Sequence, residues 1–160
     1  MKKLKIVAIL LVAIQISSCN GYDDDGYVNS DNKSLSYNLN QVNSSGISGN
    51  ARFIELENGD IQLKLTLNNL EAEANHPAHI HYNSADESGD VYVALENVSG
   101  STNKSITVFN QDIEGNPLNY NNLSTLDAHI NVHLSPEDLQ VIAQGNIGNN
   151  ASSSGGGGGY

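Results

Sequence analysis

The sequence predicts an all-β fold, a Greek-key β-sandwich or barrel of about seven to eight antiparallel strands. Three observations carry that expectation. IQLKLTL at 61–67 sets Ile61, Leu63, Leu65 and Leu67 on one face and Gln62, Lys64 and Thr66 on the other, the period-two alternation of a half-buried antiparallel strand. Asn58-Gly59 separates this run from ARFIELE, and Asn-Gly between two strand-like runs signals a hairpin because both residues tolerate positive φ. Further strand-like runs at 35–42, 78–82, 90–96, 104–110, 127–134 and 140–147 are divided by Gly, Asn, Asp and Ser, the turn-rich spacing of a sandwich or barrel.

Along the chain, residues 1–18 carry three lysines, an apolar run from Ile6 to Ile16 and then Ser17 and Ser18 before Cys19. This reads as a bacterial secretion signal, since the apolar run is too short to span a bilayer stably. Small residues directly before a lone cysteine resemble the lipobox of bacterial lipoproteins, which implies lipidation of Cys19. Because Cys19 is the chain's one cysteine, no intramolecular disulfide forms and the core alone must hold the fold. Residues 19–34 are polar and acidic, a flexible tether. Within it Asp23, Asp24 and Asp25 read equally as a solvated spacer or as a signal for export to the cell surface.

The domain itself is expected at 35–148, followed at 149–160 by a Ser/Gly-rich tail that cannot bury a core. Ser135-Pro136-Glu137-Asp138 interrupts the strand pattern with a helix-start signature and suggests one turn of helix within a loop.

The formal charge is −11. Removing the three signal-peptide lysines leaves four basic residues against eighteen acidic ones, a charge of −14. Such a chain repels phosphate backbones and anionic lipid. Nucleic acid is thereby excluded as a partner, and membrane attachment falls to the acyl anchor. The expected location is the cell envelope, with the protein anchored to the outer membrane, facing the periplasm or, if the acidic triplet is an export signal, the cell surface; the protein or small-molecule partner is not specified by the sequence.

All five histidines lie in HPAHIHYN and DAHINVHLS: His76, His79, His81, His129 and His133. In AHIHY, Ala78, Ile80 and Tyr82 alternate with His79 and His81, so both imidazoles leave one face, roughly 6.5 Å apart at Cα and within reach of one metal ion. In DAHINVHL, Ala128, Ile130, Val132 and Leu134 are assigned to the core and His129, Asn131 and His133 to the opposite face. On a strand His129 and His133 stand roughly 13 Å apart, so only one of them joins a metal held by His79 and His81. His76 is read as a loop residue. Neutral imidazoles suit copper or zinc, with Asp86, Glu87 and Asp127 as candidate outer partners.

HPAHIHYNSADESGDVYVALENV and AHINVHLSPEDLQVIAQGNI resemble the two halves of a chordin-type (CHRD) domain: an A-H-I-H strand, a glycine-containing loop and an apolar strand, then an N-V-H strand, a loop and a final strand in which Gly145 matches. The resemblance covers about residues 36–148 and implies a β-sandwich or barrel that brings His79, His81 and His133 together, with His129 as the alternative on its strand. It implies no particular activity. The strand order and the H-x-H motif are also similar to copper/zinc superoxide dismutase. Against that reading stand the single cysteine, the lack of histidine between His81 and His129, the lack of Lys or Arg after Lys104, and the strong negative charge.

No serine sits in a G-x-S-x-G turn, so nucleophilic catalysis lacks a candidate. The expectation is therefore a lipid-anchored extracytoplasmic binding or structural module with a candidate histidine metal site, more a module than an enzyme. A superoxide dismutase-like metalloenzyme is the alternative.

Overall fold

The computed structural model describes residues 33–151. The expected signal peptide, the expected lipidation site Cys19 and all but the ends of the expected tether and tail lie outside the described residues. Among the described residues ten strands form: β1 (Ser34–Gln41), β2 (Ser48–Glu55), β3 (Ile61–Asn68), β4 (Asn75–His76), β5 (Ala78–Tyr82), β6 (Val91–Ala94), β7 (Val98–Ser99), β8 (Lys104–Phe109), β9 (Asp127–His133) and β10 (Val141–Gly148). The eight expected runs all become strands. The two more than expected, β4 and β7, are two-residue segments that pair with each other, His76 opposite Val98.

All ten strands lie in one antiparallel sheet of order β4-β7-β8-β3-β2-β1-β10-β9-β5-β6. The chain itself shows why the sheet must curl. β4 occupies one edge and β5 is next to the last strand at the other, yet only Pro77 separates them. A trans link across one residue spans only about 7 Å, so the two ends of the sheet are brought round into a half-barrel. Proline suits this corner, because it lacks the N–H that a continuing ladder would need.

Period-two alternation then fills the interior. Leu63, Leu65 and Leu67 of β3, Ala51 and Phe53 of β2, Ile80 of β5 and Ala128, Ile130 and Val132 of β9 are buried in one cluster, with Tyr37 meeting Phe53 edge-on at 5.9 Å. The β2–β3 hairpin forms where Asn58-Gly59 predicts it, with a different turn. Gly59 has φ +87° whereas Asn58 is not among the residues of positive φ. The Gly59 N–H donates to Leu56 O, and the Leu56 N–H donates to Asp60 O. This is the type I turn followed by a left-handed glycine in a bulge, in which only the glycine needs positive φ.

Two local expectations are corrected. Residues 135–138 form a bend, not a helical turn: Ser135 Oγ does accept from the Glu137 and Asp138 N–H groups, but the Leu134 N–H donates to Gln140 O and returns the chain to β10. Among the described residues the one helix is α1 (Tyr120–Leu123), capped by the Asn119 side chain. Leu134, assigned to the core by alternation, lies past the end of β9 and is 40 % exposed.

Candidate metal centre

β5 and β9 pair antiparallel, with His81 opposite His129, His79 opposite Asn131 and Ala78 opposite Val132. This register places His133 diagonally across from His79, so the side chains meet on the face opposite the core. The strands that flank this pair, β6 and β10, each carry one extra residue, Tyr92 and Ile142, beside a histidine. The β5–β6 ladder shifts between Ile80 and His81, and the β10–β9 ladder shifts near Val141, opposite His133. Bulges of this kind bend a strand and re-aim its side chains.

His79, His81 and His133 each offer one nitrogen, and these three atoms lie within 4.8 Å of one another. Their hydrogen bonds identify the atoms. His81 Nδ1 is 2.9 Å from Gly89 O and His133 Nδ1 is 2.8 Å from Leu139 O. A carbonyl can only accept, so both Nδ1 atoms carry protons and donate them, and in the neutral rings both Nε2 atoms present lone pairs. His81 Nε2 is buried without a partner. His79 Nδ1 stands 3.2 Å from His133 Nε2. Nitrogens bound at about 2.0–2.1 Å to one tetrahedral ion lie roughly 3.4 Å apart, so this pair already has the separation of two ligands.

The electrostatics favour the metal-ready form. Burial holds the His79 imidazole below its ordinary value, reinforced by the neighbouring His133 and His81. Burial also lowers His133, against the opposing bond to Leu139. Neutral rings spare an ion competition with an imidazolium proton, and at His79 the Nδ1 proton donated to His133 Nε2 needs only to pass to the other ring nitrogen for that lone pair to open.

The histidine face is not the solvated polar face that alternation suggests. His129 and His133 are 1 % and 6 % exposed, because the loops at 83–89 and 134–140 fold over them and supply the carbonyls of Asn83, Gly89 and Leu139. These carbonyls take the place expected for Asp86, Glu87 and Asp127. Glu87 instead bonds Ser84 and Asp127 bonds Asn150. His129 stacks on His81, ring centroids 5.2 Å apart and planes 17° from parallel, but it is not one of the converging three. Its Nδ1 donates to Asn83 O at 2.9 Å. His76 is buried in β4, with Nδ1 donating to the backbone oxygen of His133 at 3.1 Å, rather than lying in a loop.

Sequence reasoning missed Gly89. A Cβ there would meet Tyr82 O at 2.2 Å and Tyr82 C at 2.9 Å, so only glycine lets this loop lie against β5 with its carbonyl on His81. The signal available was the glycine-containing loop of the chordin-type pattern, which marks a close approach without saying to what.

No family model matches the chain, and no curated protein matches it. Among solved structures it is similar to superoxide dismutase 5 of Candida albicans in a Cu(II) form, with a TM-score of 0.49 and 16% identity over 79% of this chain and 96% of that one. It is likewise similar to a point variant of that protein, with a TM-score of 0.48 and 16% identity over 78% and 94% of the two chains. At that depth of likeness the histidine geometry alone carries the functional reading.

Proposed function

We propose that this chain is a chordin-type β domain of the cell envelope, lipid-anchored at Cys19 to the outer membrane, that binds one copper or zinc ion through His79, His81 and His133. It serves as a binding or structural module. The observation that carries the metal reading is the convergence of three imidazole nitrogens, two of them on rings whose opposite nitrogens are tied to backbone carbonyls. Such outer bonds fix tautomer and orientation before the ion arrives. A histidine face kept only for solubility has no need of them.

The decisive experiment is the metal content of the untagged protein purified from its native envelope, followed by titration of the metal-free protein with Cu²⁺ and Zn²⁺. About one ion per chain, lost on replacing any of the three histidines by alanine, supports the reading; no uptake of either ion refutes it. Anchoring is tested by labelling cells with a radioactive fatty acid, where Cys19→Ala should abolish incorporation. Surface exposure predicts that protease added to intact cells removes the domain and that alanine at Asp23, Asp24 and Asp25 protects it.

The second reading, a superoxide dismutase-like enzyme, draws on the coordination position that three protein ligands leave open. Turnover of superoxide by the copper-loaded protein, lost in His133→Ala, would establish it. The charge of −14 opposes an anionic substrate.

A further inference from the structure

Asn131 lies at the centre of the histidine patch. It faces His79 across the β5–β9 pair, and on its own strand His129 and His133 flank it two residues to either side, so all share one face. A relay of hydrogen bonds decides which way its amide points. Asn83 O can only accept, so His129 Nδ1, 2.9 Å away, carries the proton. In the neutral ring His129 Nε2 is then an acceptor. Asn131 lies 3.3 Å from that nitrogen, so the group turned to it must be the NH2. The amide oxygen is thereby turned away from His129. It is buried, and it has no hydrogen-bond partner. A buried acceptor in that state awaits a donor or a cation.

We propose that Asn131 Oδ1 is the fourth, oxygen ligand of the ion held by His79, His81 and His133, and that His129 is the positioning residue that aims it. This rests on the three-histidine reading above. It accounts for a buried histidine that the three-nitrogen group leaves out and for an otherwise orphaned oxygen beside it. Three imidazoles and one amide oxygen form a set that favours Cu²⁺ or Zn²⁺, since a hard oxygen adds little for the softer Cu⁺.

The test uses the purified full-length chain, Cu²⁺ as the probe, calorimetric titration and electron paramagnetic resonance, with circular dichroism to establish that each variant is folded. Asn131→Ala should weaken Cu²⁺ binding roughly tenfold and change the copper spectrum while keeping the three-nitrogen hyperfine pattern. Asn131→Asp, of nearly the same shape, should restore an oxygen ligand and bind at least as tightly as wild type. His129→Phe should reproduce the spectral change of Asn131→Ala with no loss of a nitrogen, and the double variant should add nothing further. Wild-type uptake of one copper with an Asn131→Ala spectrum and affinity equal to wild type would overturn this inference and leave the three-histidine site standing. Loss of a nitrogen in His129→Phe would also overturn it, by making His129 the ligand. No copper uptake by the wild type would remove both.

Discussion

Gly89→Ala should disable the metal centre without altering any imidazole. The added Cβ would stand 2.2 Å from Tyr82 O and 2.9 Å from Tyr82 C, and both are backbone atoms of β5 with no rotamer by which to yield. Relief to an ordinary contact requires the loop to retreat by about 1 Å. Its carbonyl would then stand roughly 3.9 Å from His81 Nδ1 instead of 2.9 Å, beyond hydrogen-bond range. His81 would lose the bond that holds its proton on Nδ1 and its lone pair on Nε2. Losing such an outer partner costs about 10–100-fold in metal affinity. The strained loop and the broken bond should together destabilise the metal-free fold by about 1–3 kcal/mol. Calorimetric titration with Cu²⁺ and Zn²⁺ reads the first effect and urea unfolding the second. A variant that unfolds earlier but binds both ions with wild-type affinity would refute the claim that the Gly89 carbonyl orients His81.

Stability should fall as pH drops below about 6.5, the ordinary imidazole value. Burial lowers the pKa of His79, His129 and His133 in the folded state, so the unfolded chain binds more protons in that window and the neutral-ring stability, fully present above it, is lost on acidification. A melting temperature that is flat from pH 7 to 5 for the metal-free protein would refute this. Copper or zinc at a hundredfold excess over its dissociation constant should add about 2.7 kcal/mol, a gain visible as a raised melting temperature and absent from His79→Ala, His81→Ala and His133→Ala. Phe53, fully buried and edge-on to Tyr37, should cost about 3–5 kcal/mol on truncation to alanine, read from urea unfolding, with metal ligation unchanged in any protein that stays folded.

Strands of four or more residues were legible because periodicity needs several residues to declare itself. The run that becomes β3 is buried at Ile61, Leu63, Leu65 and Leu67, as its alternation requires. β4 and β7 were not legible, since two residues carry no period and their pairing depends on the curl of the whole sheet. Alternation also told which face His129 and His133 occupy but not that loops would cover that face. The covering contacts run through the carbonyls of Asn83, Gly89 and Leu139, and every residue type owns a carbonyl. The helix signature at Ser135 failed for a related reason: its cap bonds form, but the tertiary ladder at Gln140 reclaims the chain within a few residues.

The pairing of β1 with β10, Asn40 opposite Gln144, joins the first described strand to the last. Contacts between such distant parts of a chain form late and place a domain among the slower folders. A chain delivered N-terminus first leaves β1 waiting until β10 has emerged. Leu139, whose carbonyl holds His133, stands two residues before that last strand. The histidine cluster is therefore completed only when nearly the whole domain is free to fold, so a chain still short of its last strand has no finished site to offer an ion.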